Sequence, residues 1–420
     1  MEQLLILVFV LGYLGIVFEH NVKINKTAFA LFTGSLIWAI YAFINPDHAF
    51  IESELSEHLS EISSILFFLM GAMTIVELVD TFHGFDIITD RIKSKNLQTL
   101  LWIVSLITFF LSAALDNLTT TIVMITLLRK LIHDRENRMF LVGMVVIAAN
   151  AGGAFSPIGD VTTTMLWIGG QVSTFAIIKE LFLPSLVCLL IPLFVISLSL
   201  KGKTIEGAKK TEENHGTSFE KNLIFFLGIG GLLFVPVFKT FTHLPPYMGI
   251  LFVLSILWIV SELLSAKKKP EHQKRYSIYN ALSKLDITTI LFFLGILLAV
   301  AGLQSADLLN QAATWLSQKF ENQTVIVTLI GLLSSVVDNV PLVAGAMGMY
   351  SLETFPMDHS FWELLAYCAG TGGSCLIIGS AAGVAAMGME KLDFFWYVKK
   401  ISWLALIGYF SGIAVFILLN

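Results

Sequence analysis

The chain has 420 residues, 56% of them hydrophobic and only 14% charged, with a mean hydropathy of +0.79. A soluble domain of this size carries roughly a quarter charged residues, and a large soluble helical protein would need polar faces that the apolar runs here lack. The net charge of −5 excludes little, because in a membrane chain the distribution of charge carries the information.

Apolar runs recur along the whole chain: Leu4–Phe18, Ala28–Ile44, Ile62–Val76, Leu223–Val235, Met248–Val260, Ile287–Ala301 and Trp403–Leu419. Several approach the ~20 residues that cross a bilayer as a helix, and the shorter ones span with their flanks or as broken helices. Leu4–Phe18 lacks the basic start and the small-residue cleavage site of a signal peptide, so it reads as a first span. The expected class is an all-α polytopic membrane protein.

Basic residues fall in six segments: Lys23/Lys26, Arg91/Lys93/Lys95, Arg129–Arg138, Lys201–Lys221, Lys267–Lys284 and Lys391–Lys400. They hold all the Lys and Arg except Lys179, Lys239 and Lys319, whereas Asp47–Glu61 carries five acids and no Lys or Arg. The positive-inside rule places the six segments in the cytoplasm, and Asp47–Glu61 and both termini outside. Leu97–Leu128 is then apolar but flanked by cytoplasmic charge at both ends, and Asn322–Ser351 is its counterpart from the external side. Each is either two spans or a re-entrant hairpin, and charge counting leaves both open. A turn at that depth is tolerable only against protein or a water-filled cavity, which suggests a substrate pathway.

The halves resemble one another. Ile65–Leu69 matches Ile290–Leu294, Asp116-Asn117 matches Asp338-Asn339, and Ala151-Gly152-Gly153 with Gly159 matches Thr371-Gly372-Gly373 with Gly379. With the first hairpin cytoplasmic and the second external, the repeats are inverted, an arrangement that puts a binding site at the midplane where broken elements meet. The expected divisions are scaffold helices over 1–60 and a first repeat over 61–200. A cytoplasmic linker, two scaffold helices and a basic loop occupy 201–285, and the second repeat with a final helix occupies 286–420.

Asp116 and Asp338 lie inside apolar stretches with no basic residue nearby in sequence. A charge at the membrane centre costs about 2.5–3.5 kcal/mol on insertion scales, which makes function the default explanation. Asp-Asn is also a good helix N-cap, and the two roles are compatible. Sodium asks for oxygen ligands: Asp116, Asn117, Thr119 and Thr120 offer one set, and Asp338 and Asn339, with Ser334 and Ser335 just before them, a second. A carboxylate also binds a proton, so one site that either ion occupies suffices for exchange. Asn150 opens a Gly/Pro-interrupted stretch through Ser156-Pro157 to Asp160, Thr162 and Thr163, the mark of an unwound helix. In the matching stretch from Gly370 through Ser374 to Ser380, the serine replaces the acid, so the site is asymmetric. The cysteines fit no disulfide or zinc pattern and read as packing residues, the histidines show no ligand spacing, and Trp and Tyr toward span ends read as interface anchors.

Leu115–Met124, Val337–Ala344 with Met347–Tyr350, and Asn150–Gly153 through Gly159–Thr163 resemble the signature stretches of NhaD-type sodium/proton antiporters, within the wider ion transporter superfamily. That resemblance, over roughly residues 60–400, implies inverted repeats with two re-entrant hairpins and two broken helices. It also implies a homodimer and an elevator-like movement. It supports Asp116, Asn117, Asn150, Asp160, Thr162, Thr163, Asp338 and Asn339 as ion-pathway residues, with Ser334, Ser335 and Ser374 less directly. It favours the hairpin reading. Carboxylate-transporting relatives carry Ser-Asn-Thr at the tips where this chain has Asp-Asn, and the fixed negative charge argues for a cation.

The expectation is exchange of Na⁺, and Li⁺ with it, for H⁺ across a bacterial-type inner membrane, with Na⁺ at Asp116, Asn117, Asp160, Asp338 and Asn339. Its expected partners are the lipid bilayer and a second copy of the chain, with no cofactor and no nucleic acid. The rival is a sodium-coupled dicarboxylate carrier or an arsenite-type carrier, against which stands the lack of a sequence-evident Arg or Lys in the core spans. An enzyme or ATP-driven pump is disfavoured, since no phosphate loop, HExxH or nucleophile elbow appears.

Overall fold

The computed structural model describes residues 2–89, 94, 96–204, 217–268, 273, 276–320, 322–336 and 338–420. The basic segment Arg91/Lys93/Lys95, parts of those at 201–221 and 267–284, and Val337 of the second signature lie outside the described residues. Among the described residues the chain is helical, without strands, and nine helices are long and apolar enough to cross a membrane. It is a multi-pass membrane protein. Phe43 and Phe241, 93% and 81% exposed on the isolated chain, belong to the apolar surface such a protein turns to lipid.

The first helices are α1 (Glu2–Val17), α2 (Lys26–Ile44) and α3 (His48–Thr81). Then comes α4 (Leu97–Ala114), which stops at Leu115-Asp116, where the chain turns back into α5 (Asn117–Leu131). Next, α6 (Arg135–Ala154) breaks at Phe155 and restarts after Asp160 as α7 (Val161–Ile168), followed by α8 (Thr174–Ser199). The middle pair is α9 (Ser218–Thr242) and α10 (Pro246–Ala266). The second half starts with α11 (Ile287–Ser305) and the shorter α12 (Leu308–Lys319). Its hairpin is α13 (Gln323–Leu333) and α14 (Asn339–Met349), and its broken helix is α15 (Ser360–Gly372) and α16 (Ala381–Glu390). A final helix runs over Phe394–Leu419, with a wide turn at Val398–Ser402.

Most helix starts carry an Asn, Asp, Ser or Thr whose side chain accepts from an N–H of the first turn, among them Asn25, Asn96, Asp134, Ser173 and Thr217. These caps satisfy orphan donors that would otherwise sit unpaired at depth.

The sequence repeat becomes a repeat of contacts. In the first half α4 packs on α6, and in the second α13 packs on α15. Ser112 Oγ donates to the Ala149 carbonyl (2.6 Å) and Ser334 Oγ to the Ala369 carbonyl (2.8 Å). A Cβ on Gly152 would lie 2.1 Å from the Phe109 carbonyl oxygen, and one on Gly372 would lie 2.0 Å from that of Gly331. Each hairpin arm therefore meets its broken helix at a distance only glycine allows, which is why the Gly-Gly pairs recur.

Groups the charge rule assigns to one side are together in space. Lys284 pairs with Glu77 and Lys221 with Asp86 (2.7 Å each), all predicted cytoplasmic. On the predicted external side, the Asp358 N–H donates to the Gln171 carbonyl (2.9 Å) and Lys239 Nζ to the Trp167 carbonyl (3.0 Å). The interface-anchor reading fails for Trp167, Trp362, Tyr367, Tyr397 and Tyr409, all fully buried. For four of them burial is possible because the polar atom finds a backbone partner, as where Trp362 Nε1 donates to Phe355 O (2.8 Å) and the Tyr409 hydroxyl to Thr328 O (2.8 Å).

Candidate ion-binding site

Four helix N-termini converge at the site: α5, α7, α14 and α16, capped by Asp116, Asp160, Asp338 and Ser380. Each N-terminus carries about +0.5 of an elementary charge, so carboxylates are at home there. The capping role left open for Asp116 and Asp338 by the sequence is thus real, and Asp160 caps its helix as well.

The tip asparagines and the tip aspartates point to different partners. Asn117 Nδ2 donates to Asp160 Oδ2 (2.8 Å) and to Asn150 Oδ1 (3.0 Å). From the other hairpin, Asn339 Nδ2 reaches Asp160 Oδ1 at 3.5 Å. Asp160 Oδ1 also accepts from the backbone N–H (2.9 Å) and hydroxyl (2.8 Å) of Thr162. Asn150 Nδ2 donates to Ser374 Oγ (2.8 Å) and Ser380 Oγ (2.9 Å), tying the two broken helices together. Asp160 and Asn150 are 1% and 0% exposed, so this network is closed to bulk water.

The tip aspartates stand at its flanks. Asp116 accepts from the Thr119 N–H (2.7 Å) and hydroxyl (2.6 Å), and is only half-buried. Asp338 accepts the Val340 N–H (3.3 Å) and takes the Lys26 ammonium on Oδ2 at 3.1 Å. The Thr120 and Thr163 hydroxyls are buried without a hydrogen-bond partner in the structure. Ser335 Oγ is turned to the Leu332 carbonyl (2.7 Å) within its own hairpin and Ser334 Oγ to the Ala369 carbonyl of α15, so both serve packing in this conformation.

A cavity of about 520 Å³ opens beside the first hairpin, lined by Glu77, Asp80, Asp86, Thr119 and Asp286 among others. A narrower apolar pocket of about 80 Å³ shares Met73, Val76, Leu118 and Thr119 with it and reaches Asp116 and Asn117. Phe68 and Phe293, equivalent positions of the Phe-Phe-Leu repeat, both line that pocket. A second cavity of about 610 Å³, lined by His58, Glu61, Lys239, His243 and Tyr350, ends on Met165, Ala344 and Met347.

The chain matches the citrate transporter family model over residues 5–372. It is 50% identical over 413 residues to sodium/proton antiporter 1 of Arabidopsis thaliana, covering 98% of this chain and 71% of that protein. Identity to sodium/proton antiporter 2 of the same plant is 46%, covering 98% of both chains. The Na(+)/H(+) antiporter NhaD of Vibrio cholerae serotype O1 is 32% identical, covering 99% of this chain and 91% of that one. This chain belongs to the NhaD-type antiporter family. An NhaD-type chain is a membrane transporter, and the polar network around Asp160 is where the two repeats of this one meet.

Two charge contacts, one part-buried and one around a buried acid, were not visible in the sequence. Lys26 is the basic residue closest to a tip acid, although 312 positions separate it from Asp338. Glu390, side chain 1% exposed, is held by Arg129 and by Arg138 (2.8 Å), joining the ends of α5 and α16 to the start of α6. A faint signal existed for the first, a lysine heading an apolar span. For Glu390 the basic segments read only as cytoplasmic loops.

Proposed function

We propose that the chain exchanges Na⁺, and Li⁺ with it, for H⁺ by letting cation and proton compete for Asp160 and the two tip aspartates. The observation that carries this reading is the convergence of Asn117, Thr162 and Asn339 on the buried Asp160 carboxylate. Each hairpin contributes one asparagine to the single acid that the repeat does not duplicate. A cation entering there would meet carboxylate and amide oxygens, with the unpartnered Thr120 and Thr163 hydroxyls within the same capped helix starts. A hard cation with its preference for oxygen suits that donor set. A proton on Asp160 removes the charge that holds the cation, which makes occupancy exclusive.

The names of the relatives support the cargo, and a carboxylated cargo would have to enter among Asp116, Asp160 and Asp338. The cavity reaching Thr119 lies on the side that charge assigns to the cytoplasm, so this conformation is read as open inward, with the hairpins re-entrant and the repeats inverted. Movement of the hairpins and broken helices against α2, α3 and α11 would switch access. In everted vesicles holding a preformed pH gradient, added sodium should dissipate it, and Asp160→Asn should not support this. Unchanged sodium-driven proton flux in that variant would overturn the assignment of Asp160. Sodium-stimulated uptake of labelled succinate, without proton exchange, would overturn the cargo.

A further inference from the structure

The Lys26 ammonium sits where a transported cation would. Its Nζ is 3.1 Å from Asp338 Oδ2 and 4.3 Å from the centre of the Phe292 ring, with side chains 32% and 23% exposed for Lys26 and Asp338. Lys26 and Phe292 belong to a locked pair of helices. A Cβ on Gly34 would come 2.5 Å from the Gly295 carbonyl oxygen, and one on Gly295 equally close to the Ala30 backbone, so α2 and α11 are in backbone contact. Asp338 belongs to the second hairpin. The ion pair therefore adds a link from α2 to the second hairpin, whose α14 also packs on α11.

Charge near the site makes the lysine consequential. Four helix N-termini of about +0.5 each face three carboxylates, leaving a net charge of about −1. That is enough for one cation, and Lys26 supplies one. We propose that Lys26 is a resident cation that occupies Asp338 when no ion is bound and is displaced when the transported cation arrives. This rests on the cation-exchange reading above and adds a residue to it. The protein then does not present a bare carboxylate in its empty state, and sodium must compete with a tethered ammonium. Lys26 acts as a specificity- and affinity-setting residue rather than an ion ligand. The proposed step is a change of ionic partner, with no bond made or broken.

Two measurements test this. In proteoliposomes of the full chain carrying an internal pH dye, wild type is first shown to exchange sodium. Lys26→Met should then lower the half-saturating sodium concentration about two- to five-fold, the upper range of a partly exposed ion pair. Lys26→Arg should restore the wild-type value. Half-saturation unchanged in Lys26→Met, with only the maximal rate reduced, would mean a structural lysine and overturn the proposal while leaving the exchange reading intact. The second measurement needs no transport. Acylation of Lys26 by an amine reagent, read by peptide mass spectrometry in detergent, should rise in sodium relative to choline of equal ionic strength. It should be high in Asp338→Asn under both conditions. Equal labelling of Lys26 in wild type and Asp338→Asn in choline would overturn the pairing, even if wild type proved to carry a different cargo.

Discussion

At the scale of residues, Asp160 and Asn150 carry the most argument. Asn150 bonds to Asn117, Ser374 and Ser380 and is fully buried, so its amide completes a network spanning both halves. Asn150→Ala leaves two serine hydroxyls and one amide hydrogen short of a partner, at about 1–3 kcal/mol for an unmet buried group. We expect a lowered melting temperature in detergent together with lost exchange. Asp160→Asn can keep the Thr162 contacts only by turning its own amide nitrogen toward the Asn117 donor, so it too should melt below wild type, by about 1–3 kcal/mol of stability, while exchange falls to background. A normal melt for Asn150→Ala would show that water fills the gap, and the network would then be less rigid than its geometry implies. The site residues were largely legible, because acids, asparagines and glycines stand out in apolar spans. Their division of labour was not. Asp116-Asn117 reads as one unit in the sequence, yet Asn117 turns to Asp160 while Asp116 turns to Thr119. That choice is set by which neighbour each side chain meets across the fold.

At the scale of elements, the hairpins are held to the broken helices by glycine contacts and a charge cluster. Gly152→Ala and Gly372→Ala each force a methyl onto a backbone carbonyl 2.1 and 2.0 Å away. Backbone cannot yield as a side-chain tip does, and overpacking of this kind costs about 1–3 kcal/mol or more. Both variants should give little monodisperse protein by size-exclusion chromatography. Gly345→Ala and Gly388→Ala, where a Cβ meets nothing within 4 Å, should match wild type. Equal yields for all four would refute the close approach. At the far ends of α5 and α16, Glu390→Gln leaves Arg129 and Arg138 facing each other beside a neutral side chain. Breaking a buried pair of this kind costs roughly 3–5 kcal/mol, and Arg129 being half-exposed puts the expectation at the lower end. A melting temperature within a degree of wild type would show that the cluster is solvated instead. The helices themselves were readable from apolar length and capping residues. The contact that fixes Glu390 was not, because its partners lie 252 and 261 positions away and local pattern carries no information about them.

At the scale of the molecule, the arrangement turns on orientation. The charge rule places the two hairpins on opposite sides, and among the described residues the pairs Lys284 with Glu77 and Ser173 with Asp358 fit that ordering, while Lys26 reaches the tip of the hairpin assigned to the other side. Opposed hairpins, if the proposed orientation holds, would matter physically, since two equivalent tips reaching one acid from opposite faces would give each side of the membrane an access route of the same construction. The three native cysteines, each 3% exposed or less, leave a silent background for labelling. Single cysteines at the exposed positions Lys319 and Glu353, in the second half, should react with an impermeant maleimide added to intact cells. Those at Glu136 and Lys201, in the first half and the linker, should react only in inside-out vesicles. Reversal of both sets would invert the whole protein but keep the repeats opposed. Labelling of Glu353→Cys and Glu136→Cys from the same side would place both hairpins on one face, and the two-sided route to Asp160 would have to be abandoned.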